Sequence, residues 1–464
     1  LSAPEAAAGS LVPPHPTPFR RRPSLPGLLW RLRRSLLEVW HESHFSADLI
    51  PTRVLGRPIL VCNSPDSVRE AFLDRHAALE RKTPRMRHAL EPLVGDGLII
   101  SDGPVWKERR RVVAPVTHVS RLPELAPVMT EAAAERAAAW AALPEGARVD
   151  MLAEMGWLAA EVICRSVFGR ALGAQAALEV VAAFARYQRR AGGGGAAELL
   201  GLPPLAARLG AWRRRPEVRR IHAVLDGLVA EVLAGRGRGQ DCLLLAMAAA
   251  HEAAHGRPMT AEAFRNEAAT LFLAGHETTA STLAWAWYLL DRAPWAAARL
   301  RAEARAALGG RAAGFADLPA LPYARAVVEE TLRLYPPIPL LAREAREDTT
   351  VAGQAVPRGG LVMAVPWLLH RHRRLWERPD HFLPERFLPG GSAEARPRHA
   401  FIPFSLGPRV CTGAAFAMAE AVIVLATLSQ RFAPRLAPGA RVFPVARLTL
   451  KPGETLPMLI GPAP

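Results

Sequence analysis

Residues 260 to 293 run without a proline, Thr260 offers an N-cap at one end and Pro294 stops the helix at the other. A helix of that length spans about 50 Å at 1.5 Å per residue, enough to cross a whole domain. The remaining chain has to be arranged around it. Its middle reads Ala274-Gly275-His276-Glu277-Thr278-Thr279. A mid-helix glycine costs about 1 kcal/mol relative to alanine, so Gly275 is expected to let something flat approach the backbone. Thr278 can bend the helix by bonding a preceding carbonyl, or open a groove for water, and Glu277 beside it can pass protons. Taken alone, the hexapeptide also reads as an exposed glutamate beside helix threonines. His276 is expected to be a polar neighbour and not a metal ligand.

A second constraint is the stretch Phe404-Ser405-Leu406-Gly407-Pro408-Arg409-Val410-Cys411-Thr412-Gly413, followed by a run of helix formers. Cys411 is expected where first-turn amides are unpaired, so that the amides, the helix dipole and Arg409 together lower the thiol pKa. Gly407 permits a tight turn or bulge, Gly413 a close approach, and Phe404 shields the sulfur. A lone cysteine before an Ala-rich helix would be structural. The full pattern FxxGxRxCxG instead resembles the haem-binding loop of the cytochromes P450, of the soluble bacterial type. The resemblance implies that Cys411 is the thiolate ligand of haem b iron, within a frame of Phe404, Gly407, Arg409 and Gly413. It identifies AGHETT with the family's oxygen-activation segment, with Ala274 and Gly275 against the haem and Glu277 and Thr278 catalytic.

Other motifs follow in the family's order. Trp106 and Arg110 lie four apart on a helix starting near Pro104, where indole and guanidinium can both reach an anion, and the pair resembles the helix that binds haem propionates. Glu330 and Arg333, with Arg386 of Pro384-Glu385-Arg386-Phe387, resemble the structural triad that holds the cysteine loop. Ile338, Leu340 and Leu341 resemble a strand turned towards substrate, Arg343 after them a propionate partner, and Leu448 the tip of a last sheet reaching into the pocket.

The implied fold is mainly α with a small β region, a single haem domain over residues 28–464 behind a Pro-rich extended arm, 1–27. Helical spacing of Leu29, Leu32, Leu36, Leu37 and Trp40 predicts a first helix over 28–41, packed on the body or lying on a membrane surface. Strands are expected over 49–55 and 58–63, a breaker-containing loop over 81–103, and helices over 122–233. Gly192 to Gly195 and Pro203-Pro204 interrupt the last region, either as a roof over the substrate channel or as a plain linker.

Cys62, Cys164, Cys242 and Cys411 are too scattered for a disulfide framework or a zinc site, which fits a reducing cytoplasm. No apolar run is long enough to span a membrane and no signal peptide is evident, leaving peripheral membrane contact open. A formal charge of +16 without a zinc-finger or RNA-binding signature argues against nucleic acid. The family resemblance implies a monomeric monooxygenase inserting one atom of O2 into a small apolar substrate. Too few residues follow Gly413 for a fused reductase, so NAD(P)H electrons are expected through a separate reductase and an acidic ferredoxin or flavodoxin. That partner is expected to meet Arg109, Arg111, Arg371, Arg373 and Arg374. A peroxide-driven peroxygenase and a haem sensor are the alternatives.

Overall fold

The computed structural model describes residues 11–21, 23–54, 56–169, 179, 181–184, 186–187, 204–234 and 242–464. Its axis is the Ala261–Arg292 helix, opened by Thr260, whose hydroxyl accepts the Ala263 N–H at 3.2 Å. Between residues 266 and 290 only Ala274, Gly275 and Thr278 escape burial. The Met151–Phe168 helix packs alongside, the Pro322–Leu334 and Ala414–Ser429 helices also contact the axis, and Leu122–Ala141 packs on Ala414–Ser429. Gly275 has a local purpose as well: a Cβ there would lie 2.8 Å from Ile163 Cγ1 and Cδ1, so the missing side chain lets the neighbouring helix close in.

The β region is small and peripheral. A four-stranded sheet runs in the order Leu49–Val54, Arg57–Cys62, Leu361–Ala364, Leu341–Glu344, antiparallel except for the central parallel pair. Its last strand delivers Arg343. Pro457–Ile460 lies between Ala147–Asp150 and Arg435–Leu436, and Val445–Ala446 with Leu450–Lys451 make a hairpin whose turn holds Leu448. The Ala147–Asp150 strand had no local signal, because its partner lies some 300 residues away in sequence.

Two expected elements differ. The first helix covers Leu25–Arg34 and stops at Ser35, which turns extended (φ −161°, ψ 139°). Its hydroxyl accepts the Leu37 and Ala446 N–H groups, drawing the chain onto the C-terminal hairpin where helical spacing alone would continue to His41. Residues 81–103 are not one loop: Pro84–Val94 is helical, with Thr83 capping and Pro84 in the first turn, where its missing N–H costs nothing. Of the arm, residues 11–21 lie against the body, with Leu11 accepting from the Phe382 N–H at 2.9 Å and Pro14 from the Tyr335 hydroxyl at 2.8 Å. The glycine run 192–195 and Pro203 lie outside the described residues. Among those described, no helix is long and apolar enough to cross a membrane.

Candidate functional site

Cys411 precedes the terminal helix instead of starting it. The helix is Ala414–Ser429 with Gly413 as N-cap, so the sulfur receives the Gly413 N–H rather than the amides of the first turn. The loop is held tightly. The Cys411 N–H donates to Phe404 O at 2.9 Å, and Gly407 adopts φ 69° where a Cβ would sit 2.3 Å from Phe72 O, so only glycine fits. Phe404 is half-buried and packs on the core, and Gly413 faces open space. Cys411 lies deep in the protein yet reaches solvent, as a residue at the floor of a cleft does. Burial raises its thiol above the usual range, against the Gly413 N–H and the charge of Arg110, contrary to the lowered value expected from the sequence.

The cation acting on Cys411 is Arg110, which donates to Val410 O at 2.7 Å. Arg409 is turned away. It donates to Ser101 O and Asp102 Oδ1, both at 2.9 Å, and its guanidinium carbon lies 4.6 Å from the Trp106 ring centre. Its buried Nε finds no hydrogen-bond partner among the described residues.

Around Arg409 the positive charge accumulates. Arg343 is buried, its one described hydrogen bond is to the adjacent Ala342 carbonyl, and burial reinforced by Arg409 pushes it down to about 9. Burial, then Arg343 and Arg409, depress the Lys82 ammonium well below its ordinary range, and burial with Asp102 and Glu80 opposing leaves Arg409 at about 10. His76, 5.5 Å from Trp106 between ring centres, is likewise held down by burial and by Arg409. Asp102 is shared among Arg87, Arg409 and the Lys82 N–H, while Glu80 is taken by Arg346. Lys82, Arg343 and Arg409 therefore converge with too little negative charge to match them. Sequence reasoning found Trp106, Arg110, Arg343 and Arg409 and singled out the 81–103 stretch without naming Lys82 or Arg87 in it, and it missed His76 ahead of it.

The triad forms as its spacing requires. Glu330 accepts from Arg333 at 2.7 and 2.8 Å and from Arg386 at 3.2 Å, all three buried. Arg333 also donates to the carbonyls of His370, Pro379 and His381, and His370 Nε2 accepts the Ile402 N–H at 2.9 Å. The network thus reaches the chain just ahead of the cysteine loop.

On the long helix, Thr278 donates to Ala274 O at 2.6 Å, and Ala274, Gly275 and Thr278 open on one face. Glu277 points elsewhere: its carboxylate pairs with Lys451 at 2.6 Å on the C-terminal hairpin. Glu277, Leu448, Lys451, His276 and Phe184 line one cavity of about 260 Å³, whereas Ile338, Leu340 and Leu341 are half-buried outside it. His276 stacks on Phe272 and bonds its carbonyl.

Of the arginines expected to meet a partner, Arg109 is inward and bound by Asp96, and Arg371 is buried on Trp367. Arg373 pairs with Glu42, and Arg374 with Asp48.

The family model Cytochrome P450 matches residues 18–454. Cyclooctatin synthase from Streptomyces melanosporofaciens is 33% identical over 90% of this chain and 89% of its own. Cytochrome P450 714C3 of Oryza sativa subsp. japonica is 29% identical over 92% and 84%, and 11-oxo-beta-amyrin 30-oxidase of Glycyrrhiza uralensis 27% identical over 87% and 78%.

Proposed function

The chain belongs to the cytochrome P450 family of haem-thiolate monooxygenases, and from that premise we propose that it inserts one oxygen atom of O2 into a small apolar organic substrate, using Cys411 as the iron ligand. The observation that carries this reading is the unmatched set of buried cations, Lys82, Arg343 and Arg409, beside a solvent-reaching cysteine. A haem carries two carboxylates and a metal that accepts sulfur, and the set fits both demands. When bound, haem b supplies a redox-active iron that activates dioxygen.

This chain's residues then have separable tasks. Cys411 donates electron density from its thiolate, moderated by the Gly413 N–H. Lys82, Arg343, Arg409, Arg110 and the Trp106 indole hold the propionates, and Arg110 also braces the loop at Val410. Ala274 and Gly275 offer a flat wall, and Thr278 keeps a hydroxyl at the open face where a proton is needed. Glu277, paired with Lys451 in the wall of the neighbouring cavity, is assigned as the acid that supplies protons to that hydroxyl. Leu448, with Ile338, Leu340 and Leu341, supplies apolar surface for substrate. The triad of Glu330, Arg333 and Arg386 keeps the loop in register.

Electrons come from NAD(P)H through a separate reductase and an acidic ferredoxin or flavodoxin. The test is the reduced carbon monoxide spectrum: a red-shifted Soret band in the parent protein, lost in Cys411→Ser and kept in Cys62→Ser and Cys242→Ser. A band surviving in Cys411→Ser sinks the ligand assignment. NAD(P)H-dependent product formation with a reductase system supports the monooxygenase, whereas turnover with peroxide alone would replace it by a peroxygenase.

A further inference from the structure

We propose that Glu108, His251 and His255 form a site for a divalent transition metal of the zinc class, joining the Gly103–Val116 helix to the Leu243–His255 helix. The proposal is independent of haem ligation. Glu108 is two residues from both Trp106 and Arg110, which places it about 200° round the helix from each, on the opposite face.

The three ligand atoms lie within 4.8 Å of one another. An ion held about 2.1 Å from each of three tetrahedral donors sets them about 3.4 Å apart, so the triangle closes with roughly an ångström of side-chain movement. One edge is nearly there already, with His255 Nε2 at 3.7 Å from Glu108 Oε1. The half-exposed Glu108 has the freedom to complete the rest, and its exposure leaves the fourth position to water.

The chemistry of the donors points the same way. His251 and His255 are four apart on one helix, with rings stacked at 4.3 Å between centres. His255 Nδ1 lies 3.0 Å from the His251 carbonyl, which can only accept, so Nδ1 carries the proton and Nε2 is left facing a carboxylate. That is the arrangement of a metal-ligating histidine whose other nitrogen is fixed by a carbonyl. His251 is buried, and Arg257 and Arg109 are the cations near it. Those two arginines oppose a cation. Arg109 is already bound by Asp96 and lies near Glu267, and Arg257 is exposed and screened by water. Two imidazoles and one carboxylate suit zinc, copper or nickel, whereas magnesium and calcium prefer oxygen alone.

The experiment uses haem-loaded protein freed of adventitious metal by chelation and titrated calorimetrically with Zn2+, with zinc-edge X-ray absorption on the complex. One equivalent bound, with two imidazole nitrogens in the zinc shell, is expected. Glu108→Gln should weaken binding by at least about tenfold and His255→Ala should remove it. Both positions are partly exposed, and an unchanged carbon monoxide band certifies each variant as folded. No binding by the parent protein, equal binding by parent and variants, or a shell without imidazole would overturn the site.

Discussion

A buried arginine is a costly residue for a chain to keep without an ion pair, and Arg343 has none among the described residues. Its cost makes sense if the charge is met by a ligand. Replacing it by an apolar side chain should therefore move two properties in opposite directions. We expect Arg343→Leu to raise the melting temperature of the haem-free protein and to weaken haem retention by about 2 kcal/mol, or about thirtyfold, the worth of one charged hydrogen bond. Haem transfer to apomyoglobin measures the second effect, and unaltered retention would detach Arg343 from the propionates. At this scale the sequence was informative where a residue acts with its near neighbours, as in the Glu330–Arg333 pair. It was silent on Lys82, whose role exists only because strand residue Arg343 and loop residue Arg409 fold against it from elsewhere in the chain. The thiol of Cys411 was misjudged for a related reason: dipole and amide effects can be read from local sequence, but the burial that outweighs them is a property of the assembled fold.

Elements were legible when their signals were capped and uninterrupted. Thr260 immediately precedes the long helix, and Pro294 follows its end by two residues. Pro84 and Pro92 concealed the Pro84–Val94 helix, because a proline in a first turn or a last turn looks like a breaker when ends are unknown. Gly275 was noticed, and its partner was not. Gly275→Ala should cost about 1–3 kcal/mol by overpacking against Ile163, and the same change should be nearly free in an Ile163→Ala background. Denaturant titration of the four proteins closes that cycle, and a cost independent of Ile163 would refute the packing account. The long helix also grips the segment after Val94 through Glu267, which accepts the Leu98 N–H at 3.0 Å. Burial, with Asp96 adding, pushes this carboxyl from 4.5 to about 7 against Arg109 and the Leu98 amide. An acid whose folded value exceeds its unfolded one binds the extra proton in the folded state, so stability falls as pH rises from 4.5 towards 7. The loss is about 3 kcal/mol at most. Glu267→Gln should flatten that slope, and an unchanged pH profile of denaturation midpoints would show that Glu267 titrates normally.

For the whole molecule, the excess positive charge is the property that the fold redistributes most. An arginine-rich sequence suggested a broad docking face, but Arg109 and Arg371 are spent internally, and Arg373 and Arg374 meet Glu42 and Asp48. Lys107 and Arg111 remain exposed, four apart on one face of the helix whose Arg110 reaches Val410 beside Cys411. A partner docked there would sit close to the sulfur. Steering by such a pair is a rate effect, strong at 0.01 M salt where the Debye length is about 30 Å and weak at 0.15 M where it is about 8 Å. We expect the double reversal Lys107→Glu and Arg111→Glu to slow reduction by an acidic ferredoxin about tenfold at low ionic strength and to flatten its salt dependence. Arg374→Glu, which reverses a charge already paired with Asp48, should change the rate much less. Stopped-flow reduction across a salt series decides between a docking site on this helix and a diffuse basic surface: if all three substitutions lower the rate alike, the charge acts collectively and the Lys107–Arg111 face has no privileged part in receiving electrons.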